Sequence, residues 1–257
     1  MELNYKKFGE SGDNLIILHG LFGMLDNWTT LSKRFAETTT VYAVDQRNHG
    51  KSPHSDDAGY EFMARDLDLF MEQHGLYTAN IIGHSMGGKT AMQFADMFPE
   101  RVERLVIADI APKEYDPKHS LIIEALQSLP ISQIKSRDEA EQWLFTRINS
   151  LGVRQFLLKN LKRTKDGFAW KMNLPALIND YHSIIGSIEF ENQFDRPVLA
   201  IRGGESDYIN NSDEVNFRKI YSNFRLSSIP KAGHWVHAEQ PDHFFELVTE
   251  FLEEPLF

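Results

Sequence analysis

Gly83-His84-Ser85-Met86-Gly87 is the stretch of this chain that decides its fold. It follows the apolar run Ala79-Asn80-Ile81-Ile82 and precedes Lys89-Thr90-Ala91-Met92-Gln93-Phe94-Ala95, whose pattern is helical. A G-x-S-x-G sequence between a strand and a helix is typical of a nucleophile elbow, a sharp turn that exposes the serine hydroxyl. The helix N-terminus would then present N–H groups to a developing negative oxygen. Ser85 is therefore the predicted nucleophile.

Short apolar runs alternate with longer amphipathic stretches outward from this elbow. The runs that predict strands are residues 14–19, 41–45, 79–83, 104–109, 197–202 and 225–229. The stretches that predict helices are residues 28–36, 60–73, 86–97, 213–222 and 241–252. This alternation indicates an α/β fold with a mostly parallel central sheet and helices on both faces.

The alternation breaks between Ala111 and Phe194, where the pattern is helical and no strand is predicted. We interpret residues 112–194 as a helical cap, or lid, inserted into a core formed by residues 1–111 and 195–257. Its apolar faces need the core to cover them. The side chains predicted to line a substrate pocket are Phe22, Trp143, Phe156, Leu157, Trp170, Tyr181 and Trp235. For each cap residue among them, packing inside the cap is the alternative.

The composition excludes several classes of function. A formal net charge of -10 disfavours nucleic acid and anionic membrane surfaces as partners, because both need a cationic face. The sequence has no apolar run long enough to span a bilayer, and its polar start lacks the pattern of a signal peptide. We expect a cytoplasmic protein whose partner is a small-molecule substrate. The chain has no cysteine, which excludes thiolate chemistry.

A serine hydroxyl needs a base to take its proton. Enzymes with this elbow place the reacting groups in the chain order serine, acid, histidine. His234 is the predicted base, because it lies in Ala232-Gly233-His234-Trp235, directly after the last predicted strand. His237 and His243 fall within or beside the final helix and are interpreted as helix-surface residues.

The acid has two candidates. Asp109 ends the strand predicted at 104–109, and Asp207 lies in Gly203-Gly204-Glu205-Ser206-Asp207, after the next predicted strand. Both precede His234, and only one of them needs to accept the second N–H of the imidazole. The alternative roles are a helix cap for Asp109 and a turn residue for Asp207.

The loop Leu18-His19-Gly20-Leu21-Phe22-Gly23 follows the first strongly apolar strand. It is the expected source of a second oxyanion donor, and the backbone N–H groups of Leu21 and Met86 are the candidates. His19 is interpreted as organising this loop, and His84 as a packed residue of the elbow. The ten histidines show no metal-binding spacing, so neither a metal nor a cofactor is predicted.

With these motifs the chain resembles the α/β-hydrolases over its whole length, and more narrowly the YbfF-type esterases and their mitochondrial relatives. The matching stretches are 19–23, 45–50, 83–89, 109–112, 154–160 and 233–238. The resemblance implies hydrolysis of acyl esters and thioesters, and an acid on the earlier strand, which corresponds to Asp109. Members of that family commonly lack an acid at the position of Asp207, whereas this chain has both.

Two other classes of function use the same residues or the same fold. A C–C bond hydrolase or lyase of the menaquinone-biosynthesis type reuses the serine, histidine and aspartate, and the fold does not separate it from an esterase. A non-catalytic scaffold is disfavoured by the intact serine, histidine and acid.

The basic cluster Lys159, Lys162, Arg163 and Lys165 is interpreted as a solvated helix end. Binding of coenzyme A phosphates is its alternative role.

Overall fold

The computed structural model describes residues 1–165 and 167–255. The strands are β1 (Tyr5–Phe8), β2 (Asn14–Leu18), β3 (Thr40–Val44), β4 (Ala79–His84), β5 (Val102–Ala108), β6 (Leu161–Thr164), β7 (Gly167–Trp170), β8 (Val198–Gly203) and β9 (Phe224–Ile229). The helices are α1 (Thr29–Phe35), α2 (Tyr60–Gln73), α3 (Met86–Met97), α4 (Ser120–Ser128), α5 (Arg137–Phe145), α6 (Leu151–Leu158), α7 (Leu174–Asn179), α8 (Tyr181–Ile185), α9 (Asn211–Ile220), α10 (Val236–Glu239) and α11 (Pro241–Glu253). Within the described ranges, no helix is both long and apolar enough to cross a bilayer.

Seven of the strands form one sheet in the order β1-β3-β2-β4-β5-β8-β9. Only β1 runs antiparallel to its neighbour in this sheet, and the other paired strands are parallel. The predicted strands and helices outside the cap are all present, with bounds within two residues of the prediction. The sequence missed β1, because its Tyr-Lys-Lys-Phe pattern belongs to a mostly exposed edge strand.

Helices cover both faces of the sheet. Along β2, Ile16 and Leu18 pack on one side with apolar residues of α2 and α3. Leu15 and Ile17 point to the other side, where they meet residues of α1 and α11. Successive side chains of a strand point to opposite faces, so a strand that is buried on both faces reads as a continuous apolar run.

The turn between β4 and α3 depends on glycines at close backbone crossings. A Cβ atom at Gly87 would lie 2.5 Å from the carbonyl oxygen of Leu18 and 2.6 Å from that of His19. A Cβ atom at Gly83 would lie 2.2 Å from the carbonyl oxygen of Gly87. Distances this short require backbone atoms to move. Glycine is therefore required at both positions of the G-x-S-x-G motif, because a larger residue would clash with the backbone.

Gly87→Ala is expected to lower the free energy of unfolding by roughly 1–3 kcal/mol, because the added methyl group overpacks a rigid backbone crossing. Urea denaturation measures this change. Gly152→Ala is the matched control, since a Cβ atom there has only Ser150 Oγ nearby, at 3.9 Å. Alanine is the better helix former at that site, so the control should be neutral or slightly stabilising. Equal stability of the Gly87 variant and wild type would contradict the packing argument.

The chain between β5 and β8 carries α4 to α8 and a two-stranded hairpin, β6–β7. The prediction that this segment contains no strand is wrong. β6 reads Leu-Lys-Arg-Thr and exposes three of its four residues, so it lacks the apolar pattern that marks a strand. The segment shares an apolar cluster with α2, where Leu144 and Leu157 join Tyr60 and Met63. The role of residues 112–194 as a cap over the core stays a prediction.

Candidate active site

Ser85 occupies the turn between β4 and α3. Its backbone is left-handed, with φ of 53° and ψ of -118°. Its N–H donates to the carbonyl of Ala108 on the neighbouring strand at 3.0 Å, and its carbonyl accepts the N–H of Lys89 at 3.1 Å. A non-glycine residue in this region is strained, and the surrounding hydrogen bonds hold it there. This backbone conformation is the one that a sharp turn from a strand into a helix requires.

Two side chains from other loops complete a hydrogen-bonded chain with Ser85. The Nε2 atom of His234 lies 3.0 Å from Ser85 Oγ, and its Nδ1 atom lies 2.8 Å from Oδ2 of Asp109. Because a carboxylate only accepts, Nδ1 carries the proton of the neutral imidazole and Nε2 is free to accept the hydroxyl proton of Ser85. The structure therefore brings together the predicted nucleophile, the predicted base and one of the two candidate acids.

Asp109 is fully buried at the end of β5. Its Oδ1 atom accepts the N–H of Gly203 at 2.8 Å, and its Oδ2 atom accepts the hydroxyl of Ser206 as well as the imidazole N–H. Burial raises the pKa of Asp109 to about 6, against the opposing effect of the hydrogen bonds from Ser206 and Gly203. The carboxylate is therefore ionised at neutral pH and protonated in mild acid.

His234 is held between Asp109 and an aromatic ring. Tyr208 stacks on the imidazole with the ring centroids 3.7 Å apart and the planes inclined by 17°. Burial lowers the pKa of His234 to about 3, and the nearby His119 and Lys118 add to this effect. The imidazole is thus neutral at physiological pH, which is the protonation state that a general base requires.

Asp207 lies apart from this chain of hydrogen bonds. Its side chain is 78% exposed and forms an ion pair with Lys118. The hydrogen bond from Lys118 holds the pKa of Asp207 below its ordinary value. Of the two carboxylates that the sequence left open, the structure places Asp109 against His234 and Asp207 in a surface ion pair.

The loop of residues 20–23, here called the oxyanion loop, lies against the elbow. A Cβ atom at Gly20 would lie 3.2 Å from Cβ of Ser85. Among the described residues, neither the N–H of Leu21 nor that of Met86 has a hydrogen-bond acceptor in the protein. Unpaired N–H groups beside a nucleophile can stabilise a negative oxygen. Leu21 and Met86 are candidates for oxyanion donors because their N–H groups are unpaired in the described residues and lie beside the nucleophile.

Three further histidines near Ser85, namely His19, His84 and His237, pack or form hydrogen bonds with the surrounding structure. His19 donates from Nδ1 to the carbonyl of Gly20 at 2.9 Å and accepts the N–H of Gln46 at Nε2, so it organises the loop as predicted. His84 is buried and contacts the carbonyl of His234 through Nε2 at 2.9 Å. The interpretation of His237 as a helix-surface residue is wrong. His237 is 5% exposed, and its ring stacks on that of Trp28 with the centroids 4.0 Å apart, because α10 is a single turn packed against the core.

Two cavities meet at Ser85. One extends between the oxyanion loop and α6, and the other runs toward Lys89 and α8. Ser85, Leu21 and His119 line both. An outer groove continues from the first cavity past Phe156 and Trp235 to the protein surface. Ser85 therefore lies on the wall that the two cavities share.

The predicted pocket residues fall into three groups. Those that line the first cavity are Phe22, Phe156, Leu157 and Trp235. Tyr181 contacts the site indirectly, because its hydroxyl lies 2.9 Å from Nδ1 of His119. Trp143 and Trp170 line neither of these two cavities in the described part of the chain, so their role as pocket residues stays a prediction. Both pack against the apolar cluster of the inserted segment, which was the alternative for cap aromatics.

The basic cluster lies on α6 and the hairpin. Lys159 directly follows α6 and lines the outer groove, whereas Lys162 and Arg163 belong to β6 and are exposed. The interpretation as one solvated helix end is therefore correct only for Lys159. Lys162 and Arg163 are exposed on the hairpin, and Lys159 is the member of the cluster that lines this groove.

Sequence reasoning missed three residues of the site. Ser206 bonds to Asp109, Tyr208 stacks on His234, and His119 lines both cavities with its pKa lowered to about 4 by burial. Ser206 and Tyr208 flank Asp207 in the loop after β8, where polar residues at a strand's carboxyl end could have signalled a site. His119 precedes α4 in the inserted segment, and nothing in the sequence placed it near Ser85.

Comparisons with known proteins identify the family of this chain. The family model of the α/β hydrolase fold matches residues 13–133. The sn-1-specific diacylglycerol lipase ABHD11 of Mus musculus is 38% identical over 93% of this chain and 80% of its own. Esterase YbfF of Escherichia coli K12 is 35% identical over 93% of each chain. The structure of a marine microorganism esterase is 44% identical, covers 97% of this chain and 99% of its own, and superposes with a TM-score of 0.95. The chain belongs to the α/β-hydrolase superfamily and, within it, to the YbfF-like esterases.

Proposed function

We propose that the protein hydrolyses carboxylic esters and acyl thioesters through an acyl-enzyme on Ser85, with His234 as the base and Asp109 as the acid. The observation that carries this proposal is the continuous hydrogen-bonded chain from Ser85 Oγ through both nitrogens of His234 to Asp109. A serine, a neutral histidine and a buried carboxylate in this order are what acyl transfer to a hydroxyl needs.

In the first half-reaction, Ser85 Oγ attacks the carbonyl carbon of the substrate while its proton moves to Nε2 of His234. The carbonyl oxygen becomes an anion, and the backbone N–H groups of Leu21 and Met86 donate to it. Asp109 stabilises the imidazolium through Nδ1. The carbon–oxygen or carbon–sulfur bond then breaks, and the leaving alcohol or thiol takes the proton from Nε2.

In the second half-reaction, water replaces the leaving group. His234 accepts a proton from this water, whose oxygen attacks the acyl carbon, and the oxyanion forms again at the same two N–H groups. Collapse of this intermediate breaks the bond to Ser85, and Nε2 returns its proton to the serine oxygen. The carboxylic acid leaves, and the enzyme is restored without net change in its protonation.

The acid limb of the pH profile should report the pair formed by Asp109 and His234. Burial raises the pKa of Asp109 to about 6 and lowers that of His234, so the pair takes up one shared proton as the pH falls through about 6. That proton removes the negative charge that stabilises the imidazolium. We expect kcat/KM to be constant above about pH 7 and to fall about tenfold per pH unit well below 6.

Steady-state assays of an aryl ester from pH 4.5 to 8.5 measure this limb, since these values span about 1.5 units or more on each side of the expected midpoint. Asp207→Asn should keep this ionisation and move its midpoint only slightly, because the charge of Asp207 raises the pKa of Asp109 less than burial does. A profile that stays flat from about pH 5 to 8 would contradict the assignment of the Asp109–His234 pair.

The leaving group is the second part of the proposal. Lys159 lines the outer groove, which adjoins the first cavity at Phe156 and Trp235. Coenzyme A carries phosphates at the end remote from its thioester. An ammonium group at the groove can attract those phosphates while the acyl group reaches Ser85. A neutral ester with the same acyl group gains nothing from this charge.

Lys159→Glu should therefore raise the KM for an acyl-CoA about tenfold and leave that for an aryl ester of the same acyl group within about twofold. Added salt should shrink the difference. Lys162→Glu is the matched control, because Lys162 is exposed on β6 and does not line this groove. Equal effects on both substrates would leave simple esters as the substrate class. Cleavage of a 1,3-diketone with no turnover of either ester would instead favour a C–C bond hydrolase.

A further inference from the structure

The oxyanion loop is held in a conformation that it would not keep alone. Phe22 has a φ of 60°, in the left-handed region that non-glycine residues rarely adopt. Such a residue costs of order 1–3 kcal/mol and persists only where its surroundings fix it. The Leu21 N–H belongs to the planar peptide that links Gly20 to Leu21, and the Gly20 carbonyl of that peptide accepts the N–H of Gly23 at 2.9 Å. The Gly23 N–H lies in the same peptide as the Phe22 carbonyl. The contacts that fix Phe22 therefore fix a proposed oxyanion donor.

Both backbone groups of Phe22 are bonded to side chains from outside the loop. Its N–H donates to Nε2 of His49 at 3.2 Å, and Nδ1 of His49 in turn donates to the carbonyl of Arg47 at 2.9 Å. The carbonyl of Phe22 accepts Nδ2 of Asn160 at 2.7 Å. His49 belongs to the core, whereas Asn160 lies in the inserted segment, between α6 and β6. The loop is thus fixed from two sides.

Asn160 is fully buried, and its backbone is bonded within the inserted segment. Its N–H donates to the carbonyl of Leu157 at 3.0 Å, and its carbonyl accepts the N–H of Lys171 at 2.7 Å. The side-chain oxygen, Oδ1, has no partner among the described residues. A buried polar atom without a partner costs about 1–3 kcal/mol. An apolar side chain would avoid this cost, so packing alone does not account for an amide here.

We propose that Asn160 is a positioning residue that aims the Leu21 N–H at the oxyanion by holding the Phe22 carbonyl. The inserted segment therefore helps to form the oxyanion hole, in addition to lining the first cavity. This inference rests on the proposed function. Oxyanion donors act where charge develops in the transition state, so a displaced donor lowers kcat and leaves ground-state binding largely intact.

Asn160→Leu tests the proposal, because leucine has a similar volume and cannot donate to Phe22. Removing an oxyanion donor outright costs about 10²–10³ in kcat, and a displaced donor should cost less, roughly 10- to 100-fold. We expect KM for an aryl ester to stay within about threefold. The affinity for a boronic acid, whose serine adduct carries an oxygen anion in the oxyanion hole, should fall by the same factor as kcat.

Asn173→Ala is the matched control. The Asn173 amide donates from the inserted segment to Asn48 Oδ1 and to the carbonyl of Ser55, both at 3.1 Å, and it does not contact the oxyanion loop. Its loss should leave kcat and the boronic acid affinity within about twofold. If the leucine variant fails to fold, Asn160→Ala serves instead, because alanine adds no bulk and has no side-chain donor for the Phe22 carbonyl.

Unchanged kcat and boronic acid affinity in a folded Asn160 variant would overturn the proposal. A fall in kcat with unchanged boronic acid affinity would also overturn it, since that pattern shows damage away from the oxyanion hole. The proposed function fails separately. If the boronic acid does not inhibit the wild-type enzyme, or inhibits Ser85→Ala equally well, the serine mechanism is wrong whatever Asn160 does.

Discussion

Replacing Ser85 by alanine is expected to lower the turnover of an aryl ester by about 10³-fold or more, with little change in KM. The variant keeps the cavities and the two unpaired N–H groups, but it has no oxygen 3.0 Å from Nε2 of His234 to attack the substrate. In the variant, water would have to attack the substrate directly. Substrate binding and stabilisation of the oxyanion would then be the remaining sources of rate enhancement. Steady-state kinetics with purified protein measure the loss.

Ser32→Ala is the control for this substitution. Ser32 is also a buried serine, its hydroxyl has no partner among the described residues, and it lies on α1 away from both cavities. This variant should keep wild-type activity. If Ser85→Ala retains more than about a tenth of the wild-type rate, with contaminating esterase excluded, Ser85 is not the nucleophile.

Asp109→Asn is expected to lower kcat by about 10³- to 10⁴-fold, whereas Asp207→Asn should change it by less than about threefold. The amide of the first variant can present its NH₂ group to Nδ1 of His234, which favours the imidazole tautomer with the proton on Nε2. That tautomer cannot accept the proton of Ser85. Asp207 is exposed and paired with Lys118, and exposed ion pairs contribute little.

The same kinetic assay compares both variants, and thermal melts establish that each is folded. The reverse order of effects would transfer the acid role to Asp207. Equal and modest losses would mean that the two carboxylates substitute for one another. Either result would contradict the role that the buried hydrogen bond from His234 to Asp109 assigns to that carboxylate.

Much of the core could be predicted because its signals are local. The elbow is a strand, a small-residue turn and a helix in sequence, and Ser85 falls at the turn between β4 and α3. His234 was identifiable because it follows the last strand, β9, in a glycine-containing turn. Continuous apolar runs predicted the buried strands correctly. β1 and β6 were not predicted, because they are mostly exposed and carry charged side chains.

The acid could not be chosen from chain order, since Asp109 and Asp207 both precede His234. The choice depends on where two loops turn after their strands. Asp109 has a φ of 51° at the end of β5, which directs its carboxylate inward, while Asp207 lies farther along an exposed loop. No pattern in the sequence reports such a backbone angle in a non-glycine residue.

The inserted segment was the least predictable part of the site. Aromatic residues at helical spacing mark a buried face without stating what it faces, so Phe156 lines a cavity while Trp143 packs inside the segment. His119 and Asn160 reach the site through tertiary contacts over long sequence separations. Asn160 contacts Phe22 across 138 positions, and short-range pattern reasoning cannot find such a pair.

Covalent labelling tests the central claim most directly, namely that Ser85 attacks an acyl carbon. A fluorophosphonate reacts with a serine that a neighbouring base activates and leaves a stable adduct. Peptide mass spectrometry after labelling should place one adduct per chain on Ser85, with loss of esterase activity in parallel and no adduct in His234→Ala. An adduct on another residue, or full activity in a protein labelled at Ser85, would contradict the account.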